Sequence, residues 1–307
     1  MCYAQHMAVT YENNRSICKY VHSTSRGHEA IQLATAFQLK HIDWISPYYR
    51  DESLLLGVGF EPYELMLQLL AKADDPFTRG REYYSHPNYR GNDKPNIIHQ
   101  SSATGMQVIP TTGIAQGVKF LKEIKSSLLQ TGDNGDLPVV ICSLGDASIT
   151  EGEVSEAFQF AVLKKLPVIY LVQDNNWGIS VSAEEARAMD AYEYAMGFPG
   201  LNHIRCDGSD FKEAYETMDH VVNYVRTHQQ PYLVQAYVPL LNHHTSGVRK
   251  EFYRSKEDLD KHFTDDPFPK LKQLCLQHGI GEEELAAIEQ EAKDKIADDF
   301  AKASTAA

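Results

Sequence analysis

The 307-residue sequence predicts an α/β fold, a mostly parallel sheet flanked by helices on both faces. Three observations carry that prediction. Residues 137–144 (LPVVICSL) and 167–172 (PVIYLV) are short, largely β-branched runs bounded by turn residues. Being continuously apolar rather than alternating, they read as strands buried on both sides. Between them Val154, Ala157, Phe158 and Ala161 fall at i, i+3, i+4 and i+7, one face of a helix. Strand, helix, strand over about 35 residues is a crossover unit, right-handed in nearly all known cases.

The remaining elements follow in order. Residues 27–40 (GHEAIQLATAFQLK) form a first helix, with Ile31, Ala34, Thr35 and Phe37 near helical spacing. A second spans 62–73, where Pro62 suits a first-turn position. Residues 76–111 are rich in Pro, Asn, Gly, Tyr and His, a long connection of the kind that is either an ordered functional loop or a lid. Helices are expected at 112–129 and 212–228, a strand at 232–237, and helical structure over 256–303. The expected layout is one domain over 1–300 with a flexible tail or linker at 301–307.

Composition narrows the function. A net charge of −13 and a pI near 5.4 exclude the basic face that nucleic acid requires. No apolar run approaches the roughly 18 residues of a membrane span. The five cysteines are scattered, with neither a CxxC pair nor a disulfide framework, which favours a reducing compartment. The start, MCYAQHMAVTYENN, has no basic opening or apolar core of a secretory signal, and Arg15 is its first arginine. A cytoplasmic protein is expected.

Chemistry concentrates in residues 144–180, LGDASITEGEVSEAFQFAVLKKLPVIYLVQDNNWGIS. Gly145-Asp146 follows the first buried strand and Asp174-Asn175 the second, at the carboxyl ends where open parallel sheets bind ligands. The separation, 175 − 146 = 29 residues, holds one helix and one strand. Carboxylate, amide and carbonyl oxygens are the donors a hard cation such as Mg²⁺ selects, usually together with phosphate oxygens. The start of helix 151–165 would add a field favourable to anions. Polar turns after strands are also common without any ligand, so the chemistry alone leaves both readings open. Neither GxxxxGK[ST] nor GxGxxG occurs, which disfavours a generic nucleotide-binding protein.

The stretch resembles the thiamine diphosphate fingerprint, which opens Gly-Asp-Gly and closes Asn-Asn about 30 residues later. More narrowly it resembles the α chain of the 2-oxo acid dehydrogenases, most like the branched-chain (2-oxoisovalerate) members. RGHEAIQLA (26–34), YYRDESLLLGVG (48–59), SSATGMQVIPTTGIAQG (101–117), GDASITEGE (145–153) and NHHTSGVRKEFYRSKEDL (242–259) follow the family's order and span most of the chain.

The resemblance implies thiamine diphosphate with Mg²⁺, held by the side chains of Asp146 and Asn175 and the backbone oxygen of Trp177. Tyr49 and Arg50 would reach the diphosphate, and Gly145, Ala147, Ser148 and Ile179 would line the cofactor. Met106, with Gly105 as the competing position, would support the bent cofactor. Of His243 and His244 the resemblance favours His243 as the active-site member, stabilising charge on the substrate-derived group. Ser246, Tyr253, Arg254 and Ser255 would border the channel of the lipoyl arm. Two departures stand out: Ala147 replaces the fingerprint's second Gly, and Gln173 replaces an Arg common beside the phosphates. The implied reaction is oxidative decarboxylation of a branched-chain 2-oxo acid with acyl transfer to a lipoyl-bearing acyltransferase. A β subunit or fused β domain would supply the other half-site, in an assembly of two α and two β units. Pyruvate or acetoin as substrate, or a non-catalytic scaffold keeping the fold, are the alternatives.

Overall fold

The computed structural model describes residues 1–98 and 103–307. Its six main-sheet strands are β1 (Trp44–Ser46), β2 (Asn96–Ile97), β3 (Val140–Gly145), β4 (Val168–Asp174), β7 (Asn202–Asp207) and β8 (Tyr232–Tyr237), and a separate hairpin pairs β5 (Trp177–Gly178) with β6 (Val181–Ser182). All six main strands run parallel, in the order β2-β1-β3-β4-β8-β7. The chain leaves β1 to one side and returns to the other, so the topological switch lies between β1 and β3.

Helices cover both faces because successive strand residues point oppositely. Ile141, Ile169 and Leu171 pack on one side with α1 (Cys2–Asn13), α2 (Glu29–Ala36), α3 (Glu52–Gly57), α4 (Pro62–Leu69), α9 (Phe211–His228) and α12 (Glu282–Thr305). Val140, Cys142, Tyr170 and Val172 pack on the other with α5 (Val108–Glu123), α6 (Gly152–Lys164) and α8 (Ala191–Ala195). The shorter α7 (Ala183–Ala186) follows the hairpin, and α10 (Lys256–Thr264) and α11 (Pro267–Gln277) precede α12. The expected crossover is β3-α6-β4, with Val154, Ala157, Phe158 and Ala161 all buried. Lys165, in the left-handed region at φ 50°, stops α6, and Pro167 then turns the chain into β4.

Several elements differ from expectation. Strands β1, β2 and β7 carry no clear periodic signal, and helix α1, whose buried Ala4, Met7, Ala8 and Tyr11 fall at i, i+3, i+4 and i+7, is not among the expected elements. Of residues 301–307, expected as a flexible tail, 301–305 instead close α12 and the last two are tied to the body: Ala303 is fully buried, Lys72 Nζ donates to the Ser304 carbonyl at 2.9 Å, and Ala73 N–H donates to the Ala307 carbonyl at 2.7 Å. Within 76–111, Tyr84 is buried and donates its hydroxyl to Glu52, a carboxyl that burial pushes up to about 8. Ser101 and Ser102, which open one of the family-like passages, lie outside the described residues.

Next to the site, Gly27 is sterically required. At Gly27 (φ +98°) a Cβ would stand 1.9 Å from the Pro239 carbonyl oxygen, so only glycine lets the start of α2 cross that backbone. That crossing delivers His28 to the sheet's carboxyl edge.

Candidate functional site

The carboxyl ends of β1, β3 and β4 open onto one cavity of about 600 Å³, at the switch point where this topology places ligands. Its lining includes Tyr49, Gly105, Asp146, Asn175, Ile179 and His244. Residues from five distant sequence segments therefore converge on one volume.

After β3 the chain turns through one 3-10 turn, 146–148, fixed by Ser148 Oγ donating to the Gly145 carbonyl at 2.6 Å. The turn buries Asp146, whose Oδ1 accepts a long 3.4 Å bond from the Asn175 amide. Burial and the neighbouring Asp174 push the Asp146 carboxyl up to about 7, even though Arg187 opposes the shift. A carboxyl so placed is short of positive charge. With the Asn175 amide oxygen and nearby backbone carbonyls it offers the all-oxygen donor set that suits Mg²⁺. Among the described residues no three or more His, Cys, Asp or Glu side chains gather into a metal cluster, so adjacent His243 and His244 do not form a zinc-type site.

Asn175 is oriented by a chain of neutral partners. Its Nδ2 donates to His28 Nε2 (3.2 Å), so His28 carries its proton on Nδ1 and donates to Gln173 Oε1 (2.9 Å). Burial, reinforced by Arg50, holds His28 well below its ordinary pKa, so it stays neutral. Gln173 donates in turn to Asp51 (2.7 Å) and Ser143 (2.9 Å). Gln173 thus belongs to this inner network. Sequence reasoning missed His28 as a site residue; its only signal was membership of RGHEA.

Arg50 is 1% exposed. Its Nη2 donates to the His244 carbonyl at 3.2 Å, while Nε and Nη1 have no hydrogen-bond partner. A buried guanidinium with two unmet donors is costly to leave without an anion. Its neighbour Tyr49, whose ring centroid lies 5.3 Å from the Arg50 guanidinium carbon, lines the cavity. The site therefore fits a hard cation carrying phosphate oxygens.

The histidine pair divides differently from expectation. His244 lines the cavity; its Nδ1 accepts from the Ile179 amide (3.3 Å) and its Nε2 meets the Tyr49 hydroxyl (3.0 Å). A backbone N–H can only donate, so the proton of neutral His244 sits on Nε2. Burial, then Arg50, lower its pKa to about 3. His243, the expected member, turns to a neighbouring cavity, where Lys250 N–H donates to its Nδ1 at 3.2 Å and Arg249 contacts its Nε2. The two rings line different cavities, and the Ile179 contact fixes which one faces in. Ile179 itself is strained, a β-branched residue at φ 57°.

Other expected residues sort similarly. Met106 is 41% exposed and outside the cavity wall, whereas Gly105 (φ +79°) and Gln107 line it. Ala147 lines the cavity, and its methyl is accommodated because Gly178 opposite has no Cβ; one added there would approach it to 3.0 Å. Trp177 lines the cavity, with the Tyr253 ring tilted against it (centroids 5.6 Å apart) and the Arg254 guanidinium over it (5.4 Å). Ser246 is bonded to His22, and Ser255 caps α10.

The dehydrogenase E1 component family matches residues 4–307, and the chain belongs to it. It is an α-type member of the thiamine diphosphate-dependent 2-oxo acid dehydrogenases. It is 29% identical over 273 residues to the 2-oxoisovalerate dehydrogenase subunit alpha of Bacillus subtilis (strain 168), covering 88% of this chain and 77% of that one. To the pyruvate dehydrogenase E1 component subunit alpha of Rickettsia prowazekii (strain Madrid E) it is 28% identical over 283 residues, 91% and 81% of the two chains. The 3-methyl-2-oxobutanoate dehydrogenase subunit alpha of Mycobacterium tuberculosis is 26% identical over 276 residues, 86% of this chain and 65% of that one. No helix among the described residues is long and apolar enough to cross a membrane.

Proposed function

We propose that this chain is the α component of a cytoplasmic enzyme that oxidatively decarboxylates a branched-chain 2-oxo acid and passes the acyl group to a lipoyl carrier. The observation that carries it is one cavity holding Asp146 and Asn175 beside Tyr49 and His244, with Arg50, buried next to the Tyr49 ring though not part of the cavity wall, keeping two unmet donors. Asp146, Asn175 and the Trp177 carbonyl hold Mg²⁺. Arg50, with Tyr49, receives the diphosphate, and a planar guanidinium suits that partner because it can bond two oxygens at once. When bound, thiamine diphosphate supplies the carbanion and the electron sink for loss of CO₂. His244 offers its Nε2 proton where charge develops on the substrate.

The cofactor's other half is held by a β chain or fused β domain, in an assembly of two α and two β units, and the acceptor is a lipoyl-bearing acyltransferase. Five scattered thiols support the cytoplasmic placement. Branched-chain use is supported by His243-His244-Thr245-Ser246 followed by Tyr253-Arg254-Ser255.

Replacing Arg50 by Met separates the ligand from the fold. Removing a buried, partly unpartnered charge should stabilise the ligand-free chain by about 1–3 kcal/mol. The same change should weaken thiamine diphosphate binding by about 10–100-fold. Thermal unfolding and calorimetry read the two opposite signs. Substrate class is tested by CO₂ release from 3-methyl-2-oxobutanoate against pyruvate, using the chain assembled with its β partner. A kcat/KM ratio of about 10 or more for the branched acid is expected. A reversed ratio assigns pyruvate, and no turnover of any 2-oxo acid points to a scaffold.

A further inference from the structure

We propose that Arg187 is the positioning residue of the metal site, holding the Asp146 carboxylate by one oxygen so that the other is its single coordination point. This rests on the reading of Asp146 as a Mg²⁺ ligand.

The geometry is explicit. Arg187 Nη1 donates to Asp146 Oδ2 at 2.6 Å, and its Nη2 donates to both oxygens of Asp174 at 2.9 Å. Asp174 is itself fixed, its Oδ2 accepting from Gln235 Nε2 at 2.7 Å and its Oδ1 from the Asn176 amide at 3.1 Å. The guanidinium is thus anchored to the end of β4, and through it the Asp146 carboxylate after β3. Only Asp146 Oδ1 is left lightly held, by the 3.4 Å bond from the Asn175 amide. The three side chains are 7%, 4% and 1% exposed for Arg187, Asp146 and Asp174, so the clamp is shielded from water and little screened. Arg187 follows the β5–β6 hairpin and α7, so one short segment carries both the Trp177 carbonyl and the clamp.

Two consequences follow. Once Asp146 is ionised by the metal, two carboxylates and one guanidinium leave one net negative charge, which a divalent cation overcompensates until phosphate oxygens join it. Metal and diphosphate therefore bind together better than metal alone. A carboxylate restricted to one oxygen also favours Mg²⁺, which keeps near-ideal octahedral geometry, over Ca²⁺, which accepts bidentate carboxylates in looser shells. Outer partners of this kind typically change metal affinity by about 10–100-fold when lost.

The test titrates Mg²⁺ and Ca²⁺ separately at fixed thiamine diphosphate, with the chain assembled with its β partner, following the heat of binding by calorimetry. Arg187→Gln should weaken Mg²⁺ by about 10–100-fold and narrow the Mg²⁺ over Ca²⁺ preference, with Arg187→Lys intermediate. Asp174→Asn, which loosens the anchor and also removes a negative charge that opposes ionisation of Asp146, should narrow the Mg²⁺ over Ca²⁺ preference in the same direction whatever it does to absolute affinity, and covers the case where Arg187→Gln does not fold. Wild-type Mg²⁺ affinity and preference in folded variants would overturn the proposal, leaving Arg187 a loop tether. A wild-type assembly that binds thiamine diphosphate with neither ion overturns the cofactor reading itself, and the proposal with it.

Discussion

His244→Ala should lower turnover by about 10²–10³-fold, the usual worth of one fixed hydrogen-bond donor to developing negative charge, while His243→Ala stays close to wild type. The asymmetry follows from where each ring points. His244 is buried at the cavity wall with its proton placed on Nε2 by the Ile179 amide, and its low pKa, about 3, keeps it neutral across the working pH range. A neutral donor there can stabilise developing negative charge without first losing a competing proton. His243 bonds Lys250 and Arg249 in the neighbouring cavity. Because the rings differ in surroundings and not in type, the pair is an internal control. Single-turnover decarboxylation by the assembled enzyme reads the difference, and equal losses, or a larger one at His243, would contradict the placement.

The centre of the fold was legible because its signal is strong and local. Strands β3 and β4 are continuous apolar runs, and α6 between them has a clean helical stripe; β8 appears at its expected residues, 232–237. What escaped has a physical reason in each case. β1 and β2 have three and two residues, too few for any period to register. β7, at the sheet edge, is only partly buried, and its sequence, NHIRCD, mixes polar and apolar positions. The end of α12 is alanine-rich and read as soft, yet small side chains are what let Ala303 pack in the core.

The site divides along the same line. Asp146 and Asn175 could be found because each follows a buried strand, and strand ends converge in a parallel sheet. His28 could not, since its contact with Asn175 joins residues 147 apart. Arg187 reaches Asp146 across 41 residues from a segment with no distinguishing pattern. The choice between His243 and His244 depends on backbone direction in an irregular segment, which no residue spacing encodes.

The central claim is that Asp146 anchors a Mg²⁺-bound diphosphate. In the ligand-free chain burial, then the charge of Asp174, push Asp146 up to about 7, so removing it takes away a costly buried carboxylate while Arg187 keeps its pair with Asp174, and the fold should stay intact. For the loaded site the change is severe. Asp146→Ala deletes the charged ligand and leaves Arg187 and the metal, both cations, facing each other with less carboxylate between them. The affinity loss should be about 10²-fold or more, exceeding that for outer partners. The deciding measurement is calorimetric titration of thiamine diphosphate with Mg²⁺ into the assembled α and β chains, wild type against Asp146→Ala. Binding that requires Mg²⁺ in the wild type and vanishes in the folded variant is the predicted result. Undiminished binding by the variant, or none by the intact wild-type assembly, would contradict it.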